Sequence, residues 1–327
     1  MSLKNIVGQK KAVDTLLGVL AKQRIATSYL FCGEPGIGKK TAAVQFAKAL
    51  NCEQTADSRE PETDEVKKLD SCDECDSCRK IDDGVHPDFL LIAPEERQIR
   101  IEEVRLVEDA LSFKPFEGRK KVVIMDGAEM MTLSAANAFL KTLEEPPAES
   151  VLILVSARPD LLPSTITSRC SRVNFAPLST ESCRAVLATE VPEKDLELVT
   201  RLSMGRPGIA FSADLIEERA WFLDLLQGML NAERDGWTSR EDMEKWFEYV
   251  LVLLRDMAVL KITADSARLV NVDQGDYLAG LSKSLGLKVI INLHKELAQL
   301  KGLLIFNLNK SITWNYAASL LRKEIVP

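Results

Sequence analysis

The sequence contains no apolar run approaching the roughly 18 to 20 residues that span a bilayer, so no membrane-crossing helix is expected. Its first residues, MSLKNIVGQKK, lack the apolar stretch of a secretory signal, and the expected location is the cytoplasm. Positive charge is also in short supply. Lys and Arg together number 42 against 49 Asp and Glu, a net charge of −7. A broad DNA-binding face needs a concentrated excess of Lys and Arg, so any link to nucleic acid is expected to run through partners. Internal repeats and low-complexity stretches are missing too, and 327 residues of ordinary globular composition leave room for two or three domains.

What is present in unusual form is cysteine. Seven cysteines in a reducing compartment are not expected as disulfides, and a tight cluster of them points to metal. Cys72, Cys75 and Cys78 recur with two residues between each, and Cys52 precedes them as C-x₁₉-C-x₂-C-x₂-C. Four thiolates close a tetrahedral structural zinc site with no open position. A set of unligated buried cysteines is a poorer reading, because KKLDSCDECDSCRK is too polar to form an apolar core. A redox C-x-x-C is a further alternative, disfavoured by three evenly spaced thiols. Cys32 and Cys183 read as packing residues.

Five short apolar runs, at 28–32, 88–92, 121–125, 151–155 and 171–175, read as strands with helical patterns between most of them. That alternation predicts an α/β domain with a mostly parallel sheet, ligands being expected at the carboxyl ends of its strands. The block ends near Pro177. Beyond it, long amphipathic patterns at 214–231, 241–260, 287–303 and 312–323 predict helices only. A break at GRPG, residues 205–208, separates a small helical module of about 178–212 from a larger helical domain, 213–327.

The first strand, SYLFC, runs directly into GEPGIGKKT and then a helix. Strand, glycine loop, lysine and helix in that order form a phosphate cradle: Gly33, Gly36 and Gly38 let backbone N–H groups turn inward, and Lys39 reaches the outer phosphates. ATP or ADP is the expected ligand. The usual hydroxyl that holds Mg²⁺ directly after the lysine is replaced by Lys40, with Thr41 one residue late, although kinase-type loops also carry a non-hydroxyl residue there. The partner element is an apolar strand ending in an acidic pair, one carboxylate for Mg²⁺ and the next to polarise water. Here it ends Asp126-Gly127, and Glu129 stands further along than that spacing requires. Two catalytic parts are thus degraded together. Asp126 taken alone reads equally as a strand-end cap.

The stretch LSAANAFLKTLEEPP predicts a helix capped by Ser134, with Ala136, Leu140 and Leu143 on one face and Pro146-Pro147 beyond its end. Further on, Ser168-Arg169-Cys170 precedes the last strand. A lone arginine there is ordinarily a solvated or salt-bridged surface residue.

Taken together, Gly8-Gln9, the glycine loop, the four cysteines, His86-Pro87-Asp88, NAFLKTLEEPP and the SRC triplet resemble the clamp-loader subunits of bacterial DNA polymerase III. The likeness is close over about residues 3–178 and general beyond 210. It implies an AAA+ nucleotide-binding domain (1–177) with a zinc-binding insertion (about 52–80), a small helical lid (178–212) and an all-α collar (213–327). It also implies a five-subunit ring of gamma/tau, delta and delta-prime types that places a sliding clamp on primed DNA. Lys40 and Gly127 look like the delta-prime type, a subunit that hydrolyses little or no ATP, whereas the motor type resembles the intact pattern. The resemblance further gives Arg169 a role in trans at a neighbouring subunit's nucleotide. In the lid, the motor type's nucleotide-sensing arginine matches Gly208, with Arg206 two residues earlier. A gamma/tau-type ATPase and, behind it, a zinc-stabilised kinase remain alternatives.

Overall fold

The computed structural model describes residues 1–55, 69–232, 236–283 and 285–325. It divides into two compact units, Met1–Cys183 and Arg184–Pro327. In the first, β1 (Ser28–Cys32), β2 (Phe89–Ile92), β3 (Lys121–Asp126), β4 (Ser150–Ser156) and β5 (Ser171–Asn174) form one parallel sheet in the order β2-β3-β4-β1-β5. Around them run α1 (Lys10–Ala21), α2 (Lys39–Asn51), α3 (Asp76–Asp82), α4 (Ile101–Leu111), α5 (Leu133–Glu144) and α6 (Ser164–Thr167). This is the expected α/β architecture with a parallel sheet, every strand found where an apolar run predicted one.

Strands β1 and β4 are buried at every residue, and β3 at all but its last. A parallel strand covered on both faces needs no polar alternation, which is why these segments read as continuous apolar runs. The outer strands differ: β5 exposes all but Val173. On one face of the sheet Leu30, Val123, Met125, Leu152 and Leu154 pack with Val104 and Val107 of α4 and Phe139 and Leu143 of α5. On the other, Tyr29 meets Phe46 of α2 edge-on at 5.3 Å.

One sequence expectation needs correcting. The cap of α5 is Thr132, whose side chain accepts from the Ala135 N–H at 3.2 Å; Ser134 lies inside the first turn. Thr132 has the extended backbone a cap requires (φ −62°, ψ 158°), and its hydroxyl meets that of Ser134 at 3.1 Å.

Helix α7 (Thr180–Leu187) carries the chain onward to α8 (Glu193–Leu202), α9 (Pro207–Ser212), α10 (Leu215–Leu230), α11 (Arg240–Thr263), α12 (Gly275–Ser282), α13 (Leu287–Leu303) and α14 (Lys310–Ile325). The second unit has no strand among the described residues. Trp237 sits centrally in its core, with ring centroids of Trp314, Trp246 and Phe247 at 5.1, 5.5 and 5.9 Å. The short α12 is not predicted by the sequence: GDYLAGLS carries two glycines, the poorest ordinary helix formers. No helix is long and apolar enough to cross a membrane among the described residues.

Between α11 and α12 the chain makes only two short 3-10 turns, Ser266–Arg268 and Val272–Gln274, and is held by two anions. The fully buried carboxylate of Asp256 accepts from the N–H groups of Val270 (3.1 Å) and Asn271 (2.8 Å) and from the Asn271 side chain (2.9 Å). Asp273 receives the Arg219 guanidinium through two bonds, at 2.6 and 2.8 Å. Replacing Asp256 by Ala strands these three donors and also removes a partner of the Arg255 guanidinium (2.6 Å), and a loss of about 3 kcal/mol is expected. All four tryptophans lie at 221 or later. Urea unfolding followed by tryptophan fluorescence therefore reads the second unit alone, and a change within about 0.5 kcal/mol would show that the carboxylate is not what holds this segment.

Candidate functional site

Strand β1 delivers the chain at Cys32 into the loop 33–38, and α2 begins at Lys39 with Gly38 before it in the left-handed region (φ 90°). A Cβ on Gly33 would lie 2.6 Å from the Phe175 carbonyl oxygen and 2.7 Å from Ile37 Cδ1, so the loop is pressed against the chain leaving β5. Gln9 fastens it there. Its Nε2 donates to the carbonyls of Ile37 (3.1 Å) and Ala176 (2.7 Å), and its Oε1 accepts from the Ala176 N–H (3.2 Å). This bridge is the physical content of the Gly8-Gln9 pair, with Gly8 at φ 78° and no room for a Cβ beside Leu178.

The Lys39 side chain is buried over the loop and donates to the carbonyls of Gly33 (2.7 Å) and Glu34 (2.6 Å). Burial pulls its pKa below the usual lysine value, and the carboxylates of Glu129 and Asp126 work against that shift. A phosphate entering the loop gives this ammonium a better acceptor than either carbonyl. Thr41 is exposed and stands about 100° further round the helix than Lys40, so it does not occupy the metal-holding hydroxyl's direction.

Lys40 does point that way. Its Nζ lies 3.4 Å from Asp126 Oδ2, an ion pair across the space between α2 and the end of β3. Gly127 then turns the chain (φ 68°) into a tight helical turn, Ala128–Met130, which folds Glu129 back toward the loop. Glu129 Oε1 accepts from the Ala157 N–H at 2.9 Å, while its Oε2 is buried with no hydrogen-bond partner. The backbone cradle and Lys39 fit a phosphate chain. The ammonium beside Asp126 does not fit Mg²⁺, which requires oxygen ligands on that side. Sequence spacing set Glu129 aside; the left-handed Gly127 is the signal that brings it back.

The four cysteines come together. The sulfurs of Cys52, Cys72, Cys75 and Cys78 all lie within 4.8 Å of one another, in a set that could hold a metal ion. A tetrahedral thiolate site with sulfur about 2.3 Å from the ion places sulfurs about 3.8 Å apart, close to this arrangement. Cys52 ends α2 and Cys75 caps α3, its Sγ accepting from the Cys78 N–H at 3.4 Å. Burial pushes the Cys52 and Cys78 thiols up. Burial also acts to raise Cys72, but the N–H groups of Glu74 and Cys75 outweigh it and bring that thiol down. Residues 56–68 of the expected insertion lie outside the described residues.

Charges fasten this lobe to the domain. The wholly buried Lys48 of α2 reaches Asp73 and Asp82, each at 2.6 Å, and Asp70 accepts from the N–H groups of Leu3 and Lys4 at 3.0 and 2.9 Å. His86 meets Ser77 at 3.2 Å and accepts from the Asp88 N–H. Asp88 in turn accepts from the N–H groups of Phe116, Glu117 and Gly118. The His-Pro-Asp triplet thus joins the cysteine lobe to the sheet rather than performing chemistry.

Arg169, between α6 and β5, is about one-third exposed. It pairs with Glu144 at the end of α5 (2.7 Å) and donates to the Thr165 carbonyl (2.8 Å). Glu144 was hidden in plain view within LEEPP. Burial pushes the neighbouring Cys170 thiol up to about 12. Arg206, just before α9, bonds back to the Ser203 carbonyl at 3.4 Å, and Gly208 lies within that short helix.

A family described as DNA polymerase III, delta subunit, matches residues 8–179. The delta' subunit of DNA polymerase III from Pseudomonas aeruginosa is 33% identical over 263 residues, covering 78% of this chain and 75% of that protein. The tau subunit from Bacillus subtilis is 33% identical over 230 residues, 65% of this chain and 39% of that protein. The delta' subunit from the same organism is 33% identical over 170 residues, 52% of this chain and 48% of that one. The chain thus spans less than half the length of either Bacillus relative. Among solved structures, a gamma-subunit-related protein from Thermotoga maritima superposes with a TM-score of 0.44 at 19% identity, covering 96% of this chain and 99% of that one.

The thiolate cluster predicts about one equivalent of bound metal per purified chain, measured by elemental analysis, and its loss in Cys72→Ser. Chelation should lower the thermal midpoint of the wild type but not that of the variant. Metal-free protein of unchanged stability would show that the cluster needs no ion.

Proposed function

The chain belongs to the clamp-loader subunit family of DNA polymerase III, and we propose that within it the chain acts as a delta-prime-type stator. It supports ATP-driven loading of a sliding clamp on primed DNA and hydrolyses little or no ATP itself. The observation that carries this reading is the ion pair between Lys40 and Asp126, which sets an ammonium where hydrolysis requires Mg²⁺. Gly127 removes the carboxylate that would polarise water. Its working partners are gamma/tau-type and delta-type subunits in a cytoplasmic five-membered ring.

In that assembly, residues 1–177 form the AAA+ domain, 178–212 the lid and 213–327 the collar. The four cysteines hold structural zinc, since an all-thiolate set with no open position suits that ion. Arg169 serves in trans: its guanidinium, paired with Glu144 in the free chain, transfers to the charge developing on a neighbouring subunit's γ-phosphate. The paired state orients the arginine without hiding it.

The tau relative at 33% identity keeps one other reading in view, a motor subunit with its own ATPase. Steady-state hydrolysis by the purified chain, compared with Lys39→Ala, separates the two. Turnover no higher than the variant's is expected; robust lysine-dependent turnover would make the chain a motor. With partner subunits reconstituted, Arg169→Ala should slow the adjacent site by at least about 10²-fold. Unchanged turnover would remove the trans role.

A further inference from the structure

The phosphate loop is ringed by charges of both signs. Lys39 and Lys40 supply two cations, and the carboxylates of Asp126, Glu129 and the loop's own Glu34 face them. Lys40 is paired with Asp126 at 3.4 Å, and Glu129, whose Oε2 is buried without a hydrogen-bond partner, acts electrostatically on Lys39. A conventional site instead presents a hydroxyl and an acid that are completed by a divalent ion arriving with the nucleotide. Here the position is already filled by a tethered ammonium, and a second cation of charge +2 beside it would be repelled.

We infer that Lys40 replaces Mg²⁺, so that this loop holds a nucleoside diphosphate or triphosphate without any divalent cation. The inference deepens the stator reading and rests on it. When phosphates enter, Lys39 leaves the carbonyls of Gly33 and Glu34 for the outer phosphate oxygens. Lys40 lies between those oxygens and Asp126, bridging two anions as the metal would. A lysine ammonium donates only three hydrogen bonds and cannot lower the pKa of a bound water as a metal does, so such a site retains nucleotide without activating a nucleophile. Bound nucleotide then becomes a structural ligand that holds the loop and the start of α2, and its retention is independent of cellular Mg²⁺.

The test is calorimetric titration of ADP into the full chain in resin-treated, Mg²⁺-free buffer and again with millimolar Mg²⁺. Equal affinity in the two buffers, within about twofold, is expected. Lys40→Thr should weaken Mg²⁺-free binding by about tenfold or more, the loss of one charge-assisted contact, and should acquire a Mg²⁺ dependence the wild type lacks. Asp126→Asn, which removes an anion from an anion site, should tighten Mg²⁺-free binding; this second variant decides the matter if Lys40→Thr does not fold. Wild-type binding tightened about tenfold or more by Mg²⁺, weaker Mg²⁺-free binding by Asp126→Asn, or no ADP binding in either buffer would overturn the inference. Mg²⁺-tightened binding would also remove the main support for the stator reading, but that reading is decided by its own assay, lysine-dependent ATP hydrolysis.

Discussion

Helix α2 lies across the centre of the sheet, against β1, β3 and β4, and the first unit is organised by that packing. Ala42, Ala43, Ala47 and Ala49 are all buried, their small side chains letting neighbouring elements close around the helix, and Phe46 reaches Tyr29. The helix is about 20 Å long. Its N-terminus receives the phosphate loop and its last residue is followed by Cys52. Lys48, near its end, holds Asp73 and Asp82. Phosphate loop and cysteine cluster are therefore two ends of one rigid rod, and a shift of α2 on the sheet would disturb both.

The same economy appears in the polar residues. Gln9, Asn51, His86 and Asp88 contribute no chemistry of their own, yet each joins segments distant in the chain. Gln9 ties α1 to the loop and the end of β5, and Asn51 accepts from the N–H groups of Arg119 and Lys120 and donates to the Lys120 carbonyl. Buried polar groups without such partners are expensive. Their satisfaction here gives a structural purpose to motif residues that lie away from the phosphate loop.

In the proposed reading, electrostatic substitution separates this loop from a hydrolytic one. A fixed ammonium can neutralise phosphate oxygens, but unlike a metal it does not acidify water or coordinate leaving oxygens. With Lys40 paired to Asp126 and Gly127 in the acid's place, the proposed role of the site is binding rather than hydrolysis. Arg169 stands apart from that loop: its resident partner Glu144 is itself half-exposed, so the pair is weak and leaves the guanidinium able to change partners, as the proposed role in trans requires.

Local pattern determined a great deal. Continuous apolar runs marked β1, β3 and β4 because a buried parallel strand needs no polar face, and the long helices followed from amphipathic period alone. Glycine spacing marked the loop, and cysteine spacing the thiolate cluster, since three of its four sulfurs lie within seven residues. The tertiary structure decided the pairings between distant segments: Lys40 with Asp126, Glu129 with Ala157, Arg169 with Glu144, Lys48 with Asp73 and Asp82. It also decided that Thr132 caps α5 and that α12 forms despite its glycines. The physical reason is range. Backbone preference and hydrophobic period act over a few residues and can be read in order, whereas a side-chain ion pair depends on where the folded sheet brings two segments that may be 86 residues apart, as Lys40 and Asp126 are.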